Sequence, residues 1–178
     1  MDIVIIDNND SFTRNLEHLI VVTTGARVTV RPVAELAGVD PARWDMVVIS
    51  PGPGHPGEYP GYGRIIDSGV PVLGVCLGLQ ILNAHFGGET SRLPGCVHGK
   101  ADVIDFAGRR FEVARYHSLH LSRVGQGLSV RAANADGVPM IVVHPERPLI
   151  GLQFHPESFL TADGGFFINH ALAHCGLR

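Results

Sequence analysis

The sequence predicts a single α/β domain with a central mixed, mostly parallel sheet flanked by helices, plus a small antiparallel sheet. Short, unbroken apolar runs rich in β-branched residues recur along the chain, and helical stretches fit between several of them. Unbroken apolar runs are typical of strands that are covered on both faces, as in parallel sheets. Alternating strands and helices then form right-handed crossovers around one sheet. A length of 178 residues fits one domain over 1–178.

The first half of the chain supplies the parallel strands and their crossover helices. The predicted strands are Ile3–Ile6, Val28–Val30, Met46–Ile49 and Val70–Cys76. The predicted helices are Thr13–Val22, Gly61–Ser68 and Leu79–Phe86. Asp10 or Ser11 can cap the first of these helices, because short polar side chains accept hydrogen bonds from the free N–H groups of a first turn.

The second half of the chain has the pattern of antiparallel strands. Asp102–Phe106 and Arg110–Ala114 flank a hairpin-like turn at 107–109. Three further runs follow, separated by turn residues: Leu128–Ala133, Met140–His144 and Leu149–Phe154. A last helix is predicted from Gly165 to about His174. Since no linker or repeat divides the chain, one mixed sheet is the simplest arrangement.

The composition argues against nucleic-acid and membrane partners. The formal net charge is -3 and the sequence pI is about 6.3, so the chain lacks the basic footprint of a nucleic-acid-binding protein. No apolar run approaches the roughly 20 residues of a membrane span. Cys76, Cys96 and Cys175 form no CxxC pair, and this odd number indicates neither a disulfide framework nor a zinc site. We therefore expect a cytoplasmic protein.

Cys76 is a candidate nucleophile because it stands in the segment Gly74-Val-Cys-Leu-Gly78, between a predicted strand and a predicted helix. This is the nucleophile-elbow pattern with cysteine in place of serine. The glycines leave room for a sharp turn, and the helix N-terminus favours a thiolate over a thiol. The N–H of Leu77 is then a candidate oxyanion donor. The alternative is a small buried side chain between two packing glycines.

A candidate base lies in the segment Gln153-Phe-His-Pro-Glu-Ser158, where the predicted strand Leu149–Phe154 ends. Active sites gather at the carboxyl ends of strands in α/β sheets, which places His155 at such an edge. Glu157 can accept a hydrogen bond from the imidazole, orient the ring and stabilise its cation. The alternative is a solvated histidine beside an ordinary turn carboxylate.

The third candidate element is the loop Ser50-Pro-Gly-Pro-Gly-His-Pro-Gly57, directly after a predicted strand. Prolines fix the backbone, and glycines let a ligand approach it closely. The N–H groups of Gly52 and Gly54 can complete an oxyanion hole. The loop lacks the GK[ST] ending of a phosphate loop. A rigid surface loop is the alternative.

Together, the motifs PGPG, GVCLGLQ and QFHPES, in that order, resemble those of class I glutamine amidotransferases with a Cys-His-Glu triad. Three further segments resemble the glutaminase subunits of anthranilate synthase and aminodeoxychorismate synthase: Asp7–Leu16, Val97–Lys100 and Arg115–Leu119. The resemblance extends from Asp2 to about Asn169. Any one of these motifs is weak evidence, but all of them in order are highly specific.

The resemblance implies a role for each matching position. Cys76 is implied as the nucleophile, His155 as the general base and then acid, and Glu157 as the residue that orients His155. The implied glutamine-binding residues are Gly52, Pro53, Gly54, Gln80, Ser118 and Leu119, and the implied oxyanion donors are Gly52 and Leu77. No metal or other cofactor is implied.

The implied reaction is hydrolysis of L-glutamine to glutamate and ammonia through a cysteinyl thioester. The family passes ammonia to a synthase partner, which for this chain would be a chorismate-using synthase subunit. Two alternatives stay open. One is a noncatalytic or weakly active module that stabilises its synthase, and the other is the glutaminase of another synthetase, such as the GMP or carbamoyl phosphate enzymes.

Two features depart from the family pattern. Leu79 stands where relatives commonly have histidine. We expect this difference to change either the local packing or the contact with the partner. The segment 58–70 is shorter than in typical relatives. Because it flanks the site, we expect basal activity or substrate access to differ from theirs. Two further segments are typical of the family and are candidates for the synthase contact. The alternative for Asp10–Asn15 is an ordinary helix cap. The alternative for 98–100 is a simple polar turn.

Overall fold

A computed structural model describes residues 1–93 and 99–177 and has the α/β architecture that the sequence predicts. The strands are β1 (Asp2–Asp7), β2 (Arg27–Pro32), β3 (Met46–Ile49), β4 (Val72–Val75), β5 (Glu89–Arg92), β6 (Lys100–Phe106), β7 (Arg109–Arg115), β8 (Leu119–Arg123), β9 (Ser129–Ala133), β10 (Pro139–Val143) and β11 (Leu149–Leu152). The α-helices are α1 (Thr13–Thr24), α2 (Gly63–Ile66), α3 (Leu77–His85) and α4 (Gly164–His174). Short 3-10 turns lie at Val33–Gly38, Pro41–Arg43 and Pro56–Glu58.

The main sheet has seven strands in the order β2-β1-β3-β4-β11-β10-β9. Its first five strands in that order run parallel, and β10 is antiparallel to both of its neighbours. The predicted mixed, mostly parallel sheet is confirmed. The three late strands are antiparallel in succession, but β11 also pairs in parallel with β4 and so joins them to the first half. The smaller antiparallel component consists of two separate pairs, β5-β8 and β6-β7.

The turn around Cys76 is tighter than the sequence predicts. β4 ends at Val75 rather than at Cys76, and α3 begins at Leu77 rather than at Leu79. Cys76 is therefore the single residue between strand and helix. The sequence pattern does not indicate this start, because glycine is unfavourable inside helices, yet Gly78 is the second residue of α3.

The first helix starts where it is predicted to start, but its cap residue differs from the prediction. It begins at Thr13, and Phe12 rather than Asp10 or Ser11 is the cap residue. The Asp10 carboxylate accepts a hydrogen bond from the Phe12 N–H at 2.8 Å. Asp10 therefore stabilises the turn before the helix instead of the helix end itself.

Two hydrophobic cores cover the two faces of the main sheet. Successive side chains of a strand point to opposite faces, so in β1 Ile3 and Ile5 belong to one core while Val4 and Ile6 belong to the other. Helices α1 and α4 pack on the first face, and α2 and α3 pack on the second. This two-sided burial explains why the inner strands are apolar throughout.

The sheet topology brings four chain segments to one edge. β1, β3, β4 and β11 are parallel, so their carboxyl ends share that edge of the sheet. The residues that follow them are Asn8, Ser50, Cys76 and Gln153. This edge is where ligands bind in open α/β sheets. Across residues 1–93 and 99–177, none of the helices has the length and apolar character needed to cross a membrane.

Candidate active site

Cys76 occupies a backbone conformation that non-glycine residues rarely adopt, with φ 53° and ψ -102°. Such a conformation costs about 1–3 kcal/mol and persists only where its surroundings fix it. Its N–H donates to the Leu152 carbonyl at 2.7 Å. A Cβ atom on Gly78 would lie 2.2 Å from the Ile49 oxygen, and one on Gly74 would lie 2.5 Å from the Gly78 carbonyl. Only glycine fits at both positions, as the elbow pattern requires.

His155 and Glu157 form a buried pair beside Cys76. The imidazole Nδ1 lies 2.6 Å from Glu157 Oε1, and the two side chains are 3% and 0% exposed. The His155 backbone is also held on both sides. Its N–H donates to the Ala114 carbonyl at 3.0 Å, and its carbonyl accepts the Thr161 hydroxyl at 2.5 Å. The ring therefore has a fixed position and a fixed carboxylate partner.

The charges around His155 favour its protonated form. Burial is the largest single influence on the pKa of His155 and lowers it. The negative charge and hydrogen bonding of Cys76, followed by those of Glu157, raise this pKa by more than burial lowers it. The net result is a raised pKa, so the imidazole holds a proton next to the sulfur. Such a pair suits proton transfer to a leaving group.

A cleft of about 140 Å³ opens at Cys76. It brings together every residue that the resemblance implies for glutamine or oxyanion binding, together with two more from the same turn. The lining residues are Gly52, Pro53, Gly54, Cys76, Leu77, Gln80, Tyr116, His117, Ser118 and Leu119. Residues from three separate stretches of the chain therefore line one small, largely polar cleft.

Free backbone donors line this cleft. None of the hydrogen bonds formed within residues 1–93 and 99–177 uses the N–H of Gly52, Gly54 or Leu77. A Cβ atom on Gly52 would lie 2.7 Å from the Leu77 side chain, so only glycine allows the loop to approach the elbow this closely. Unsatisfied N–H groups next to a sulfur can bind an oxyanion.

The turn that carries Ser118 and Leu119 is held by His117. The buried His117 ring accepts a hydrogen bond from Arg115 Nε at its Nε2, at 3.1 Å. Its Nδ1 therefore carries the hydrogen and donates to the Leu119 carbonyl at 2.7 Å. Burial and then the Arg115 charge lower the pKa of His117 to about 4. The ring is thus neutral at pH 7 and fixes the turn as a hydrogen-bonding group.

Several residues near Cys76 were not predicted as site residues. Gln153 Nε2 lies 3.8 Å from Cys76 Sγ, and its Oε1 accepts a hydrogen bond from Gln80 at 3.3 Å. The rings of Phe12 and Tyr116 pack on His155 with centroid distances of 5.4 and 5.1 Å. All of them, like His117, lie inside the quoted motifs. The motifs therefore indicate the segments that form the site, but their spacing does not show which side chains contact each other.

The remaining cysteines and histidines give no second reactive site in the part of the chain that is described. Cys175 is partly buried, its thiol donates to the Pro148 carbonyl at 3.3 Å, and burial raises its pKa to about 12. Cys96 and His98 lie outside the described residues. Within the described ranges, no group of three or more His, Cys, Asp or Glu side chains is arranged to hold a metal ion.

A larger depression lies away from this edge, beside β2. It measures about 560 Å³ and is lined by residues such as Arg27, Arg31 and Trp44. Two of its arginines already pair with carboxylates, Arg27 with Asp2 at 3.4 Å and Arg31 with Glu35 at 3.1 Å. Its lining includes no cysteine, serine or histidine. The smaller cleft at Cys76 therefore remains the candidate active site.

Comparison with known proteins identifies the family. The family model "Glutamine amidotransferase class-I" matches residues 4–175. The chain belongs to the class-I glutamine amidotransferases. Curated relatives of this amidotransferase include an anthranilate synthase component 2 from Halobacterium salinarum, 39% identical and covering 98% of this chain and 100% of the relative. Another, from Thermococcus kodakarensis, is 41% identical and covers 89% of this chain and 88% of the relative.

Some relatives of this class-I amidotransferase are much longer proteins. It is 42% identical to an anthranilate synthase from Azospirillum brasilense over 92% of its own length, but spans only 24% of that relative. The crystal structure of a protein described as part of a GMP synthase, from Thermoplasma acidophilum, has a TM-score of 0.85. It covers 99% of this chain and 94% of the other, at 21% identity, and so shows a shared fold.

Leu79, where the sequence is expected to depart from the family motif, is part of the core. Leu79 is buried and packs with Leu121 and Val142. A Cβ atom on Gly151 would lie 2.3 Å from its Cδ1, so Leu79 sits directly on β11. It is not among the residues that line the cleft. The departure therefore affects packing between α3 and the sheet.

Proposed function

We propose that this chain hydrolyses L-glutamine to glutamate and ammonia through a thioester on Cys76. We further propose that the ammonia passes to a chorismate-using synthase subunit. The observation that carries the proposal is that the buried His155–Glu157 pair adjoins Cys76, and that Cys76 in turn lines a cleft with unpaired N–H groups. Thiolate, acid–base group and oxyanion donors are the parts that amide cleavage by a cysteine needs.

In the proposed reaction, the Cys76 thiolate attacks the side-chain amide carbon of glutamine. The negative charge moves to the amide oxygen, which the N–H groups of Leu77 and Gly52 stabilise. His155 gives its proton to the amide nitrogen, the C–N bond breaks, and ammonia leaves. Water, losing a proton to His155, then attacks the thioester and releases glutamate. Glu157 keeps the imidazole oriented and stabilises its cation through both steps.

The turn at Ser118 and Leu119, which lines the cleft, is the proposed site for the zwitterionic end of glutamine. Backbone groups of Ser118 and Leu119 are proposed to bind the α-amino and α-carboxyl groups. The Leu119 carbonyl is fixed by His117 and also accepts a hydrogen bond from Gln80 Nε2 at 3.3 Å. Gly52, Pro53 and Gly54 line the same cleft. A rigid site of this kind orients the amide toward the sulfur.

The relatives support the proposed partner. Several are named anthranilate synthase component 2, and one, 38% identical over 92% of this chain, is an aminodeoxychorismate synthase from Streptomyces griseus. This chain spans 25% of that longer protein. We therefore propose that a chorismate-using synthase supplies the remaining machinery and receives the ammonia. Direct transfer keeps the ammonia unprotonated, which preserves its nucleophilicity.

The test separates a working glutaminase from a noncatalytic module. The full chain, with its co-purified synthase subunit, is exposed to the diazoketone analogue of glutamine, and each cysteine is examined by mass spectrometry. We expect one covalent adduct, on Cys76, and none on Cys175. Absence of an adduct on Cys76, together with no glutamate release, would support the noncatalytic alternative instead.

The Cys76→Ala variant should lose glutamine-dependent synthesis and keep synthesis from added ammonia. The substitution removes the nucleophile but leaves the synthase and the docking surfaces unchanged. Product formation from chorismate is measured with glutamine and, separately, with an ammonium salt at alkaline pH. A parallel loss of both activities would mean that the substitution damages assembly and would contradict this assignment.

A further inference from the structure

A buried polar network lies behind the Gly52 loop and is not used in the proposed chemistry. It consists of Asn8, Ser50 and Tyr62, whose exposed fractions are 0%, 0% and 2%. Asn8 follows β1, Ser50 follows β3, and Tyr62 directly precedes α2. Three elements that are distant in sequence therefore meet at one point beneath the loop.

Hydrogen bonds connect the three side chains in a fixed direction. The Tyr62 hydroxyl donates to Asn8 Oδ1 at 2.5 Å, and Asn8 Nδ2 donates to the Ser50 carbonyl at 3.0 Å. The Asn8 N–H donates to Ser50 Oγ at 2.9 Å, and that hydroxyl donates to the Pro51 carbonyl at 2.6 Å. Each partner thereby fixes the orientation of the next. Burial also raises the pKa of Tyr62, which keeps its hydroxyl protonated.

The network makes direct contact with the proposed oxyanion donor. A Cβ atom on Gly52 would lie 2.6 Å from Asn8 Cβ and 2.8 Å from the Asn8 carbonyl oxygen. Gly52 therefore rests on Asn8 with no space between them. Ser50 and Pro51, which precede Gly52 in the chain, are the residues that the network fixes. A shift of Asn8 would be transmitted to the Gly52 N–H.

We propose that Asn8, Ser50 and Tyr62 are positioning residues that hold the Gly52 N–H where the transition-state oxyanion forms. This inference rests on the proposed glutaminase function. None of the three side chains lines the cleft at Cys76, so they act through the loop and not on the substrate. Their effect should fall on the chemical step, because an oxyanion donor stabilises the transition state more than the bound substrate.

Tyr62→Phe is the most specific test of this network, because it removes one hydroxyl and leaves the ring in place. Asn8 Oδ1 then loses its donor and its orientation. Misplacing one catalytic group by about 1 Å can cost roughly 100-fold in rate. We expect a fall of about 10- to 100-fold in kcat for glutamine hydrolysis, with KM for glutamine within about twofold of wild type.

Alkylation of Cys76 by iodoacetamide provides the readout that distinguishes positioning from general damage. That substitution reaction forms no tetrahedral oxyanion, so its rate should not depend on the Gly52 N–H. We expect the alkylation rate of Tyr62→Phe to equal that of wild type. Ser50→Ala, which removes a different hydroxyl of the same network, should show the same lower kcat and unchanged alkylation.

Tyr59→Phe is the matched control. The Tyr59 hydroxyl also bonds to the loop, donating to the Pro53 carbonyl at 2.9 Å, but this bond is exposed and water can replace it. We expect wild-type kcat in this variant. All assays use the full chain, alone and with its co-purified synthase subunit.

The outcomes separate this inference from the function on which it rests. Wild-type kcat in both Tyr62→Phe and Ser50→Ala would overturn the inference and leave the glutaminase proposal standing. Alkylation that falls together with kcat would also overturn it, because the damage would then be general. A wild-type chain that neither hydrolyses glutamine nor reacts with the diazoketone would overturn both.

Discussion

At the residue scale, two buried histidines near the cleft are driven in opposite directions. Cys76 and Glu157 raise the pKa of His155 despite its burial, whereas burial and the Arg115 charge lower the pKa of His117. Environments that separate the pKa values of neighbouring groups are typical of acid–base sites. In the proposed reaction, His155 transfers protons. The neutral His117 only fixes the turn that carries Ser118 and Leu119.

His117 should make the stability of the protein depend on pH. Its pKa is about 4 when folded and 6.5 by reference when unfolded, so between those values the unfolded chain binds a proton that the folded chain does not. The free energy of unfolding therefore falls as pH decreases from about 6.5 to about 4, by at most about 1.4 kcal/mol per pH unit. His117→Gln removes this dependence.

The measurement is urea unfolding of wild type and His117→Gln at several pH values. At pH 7 the variant should be less stable, because two buried hydrogen bonds are altered. The difference in the free energy of unfolding between wild type and His117→Gln should become smaller as the pH falls toward 4. Ser118→Ala, which removes no titratable group, should differ from wild type by a constant amount. A constant deficit for His117→Gln would contradict the assigned protonation.

The sequence predicted much of the candidate site but not its supporting contacts. Cys76 and Leu77 were named from their place between a strand and a helix, and the cleft brings them together with the implied glutamine-binding residues. Phe12 and Gln153 were missed as site residues, since they reach the site through pairings distant in sequence. Whether the named residues perform their proposed roles stays a prediction.

At the element scale, the turn from β4 to α3 depends on close backbone packing rather than on side chains. Gly78 touches the carbonyl of Ile49 at the end of β3, and Gly74 touches the first turn of α3. The helix therefore starts directly above the neighbouring strand, which holds Cys76 in its unusual conformation. Any side chain at either glycine would separate the helix from the sheet.

Gly78→Ala should strongly destabilise the protein. Its Cβ would lie 2.2 Å from a backbone oxygen that cannot move without displacing β3. Overpacking of this kind typically costs about 1–3 kcal/mol, and a rigid backbone contact should reach or exceed the top of that range. The free energy of unfolding is measured by urea titration monitored by circular dichroism.

Gly38→Ala provides the control for that variant. A Cβ atom on Gly38 meets nothing within 4 Å, and its backbone does not lie in the left-handed region. Its stability should match or slightly exceed that of wild type, because alanine restricts the unfolded chain. Equal stabilities of the two variants would show that the turn adapts and that the tight packing is not required.

Elements of the first half were easier to predict than those of the second. Continuous apolar runs such as Met46–Ile49 have the bounds that were predicted, because both faces of the strand are buried. The parallel pairing of β11 with β4 joins residues more than seventy positions apart. Local patterns indicate that β11 is a strand, but they carry no information about which distant strand it pairs with.

At the scale of the whole molecule, the two hydrophobic cores share one sheet. The inner strands β1, β3, β4 and β11 contribute side chains to both cores, as Met46 and Val47 do in β3. Loss of one core would therefore expose the strands that support the other. This sharing favours a chain that unfolds as one unit, in keeping with the predicted single domain over 1–178.

Equilibrium unfolding should accordingly be a single transition seen identically by two probes. Trp44, the only tryptophan, packs against one of the cores and reports on that face through its fluorescence. Far-ultraviolet circular dichroism reports on all strands and helices together. We expect the two urea curves to coincide in midpoint and slope. Separate midpoints would show that the faces unfold independently, and the chain would then consist of more than one cooperative unit.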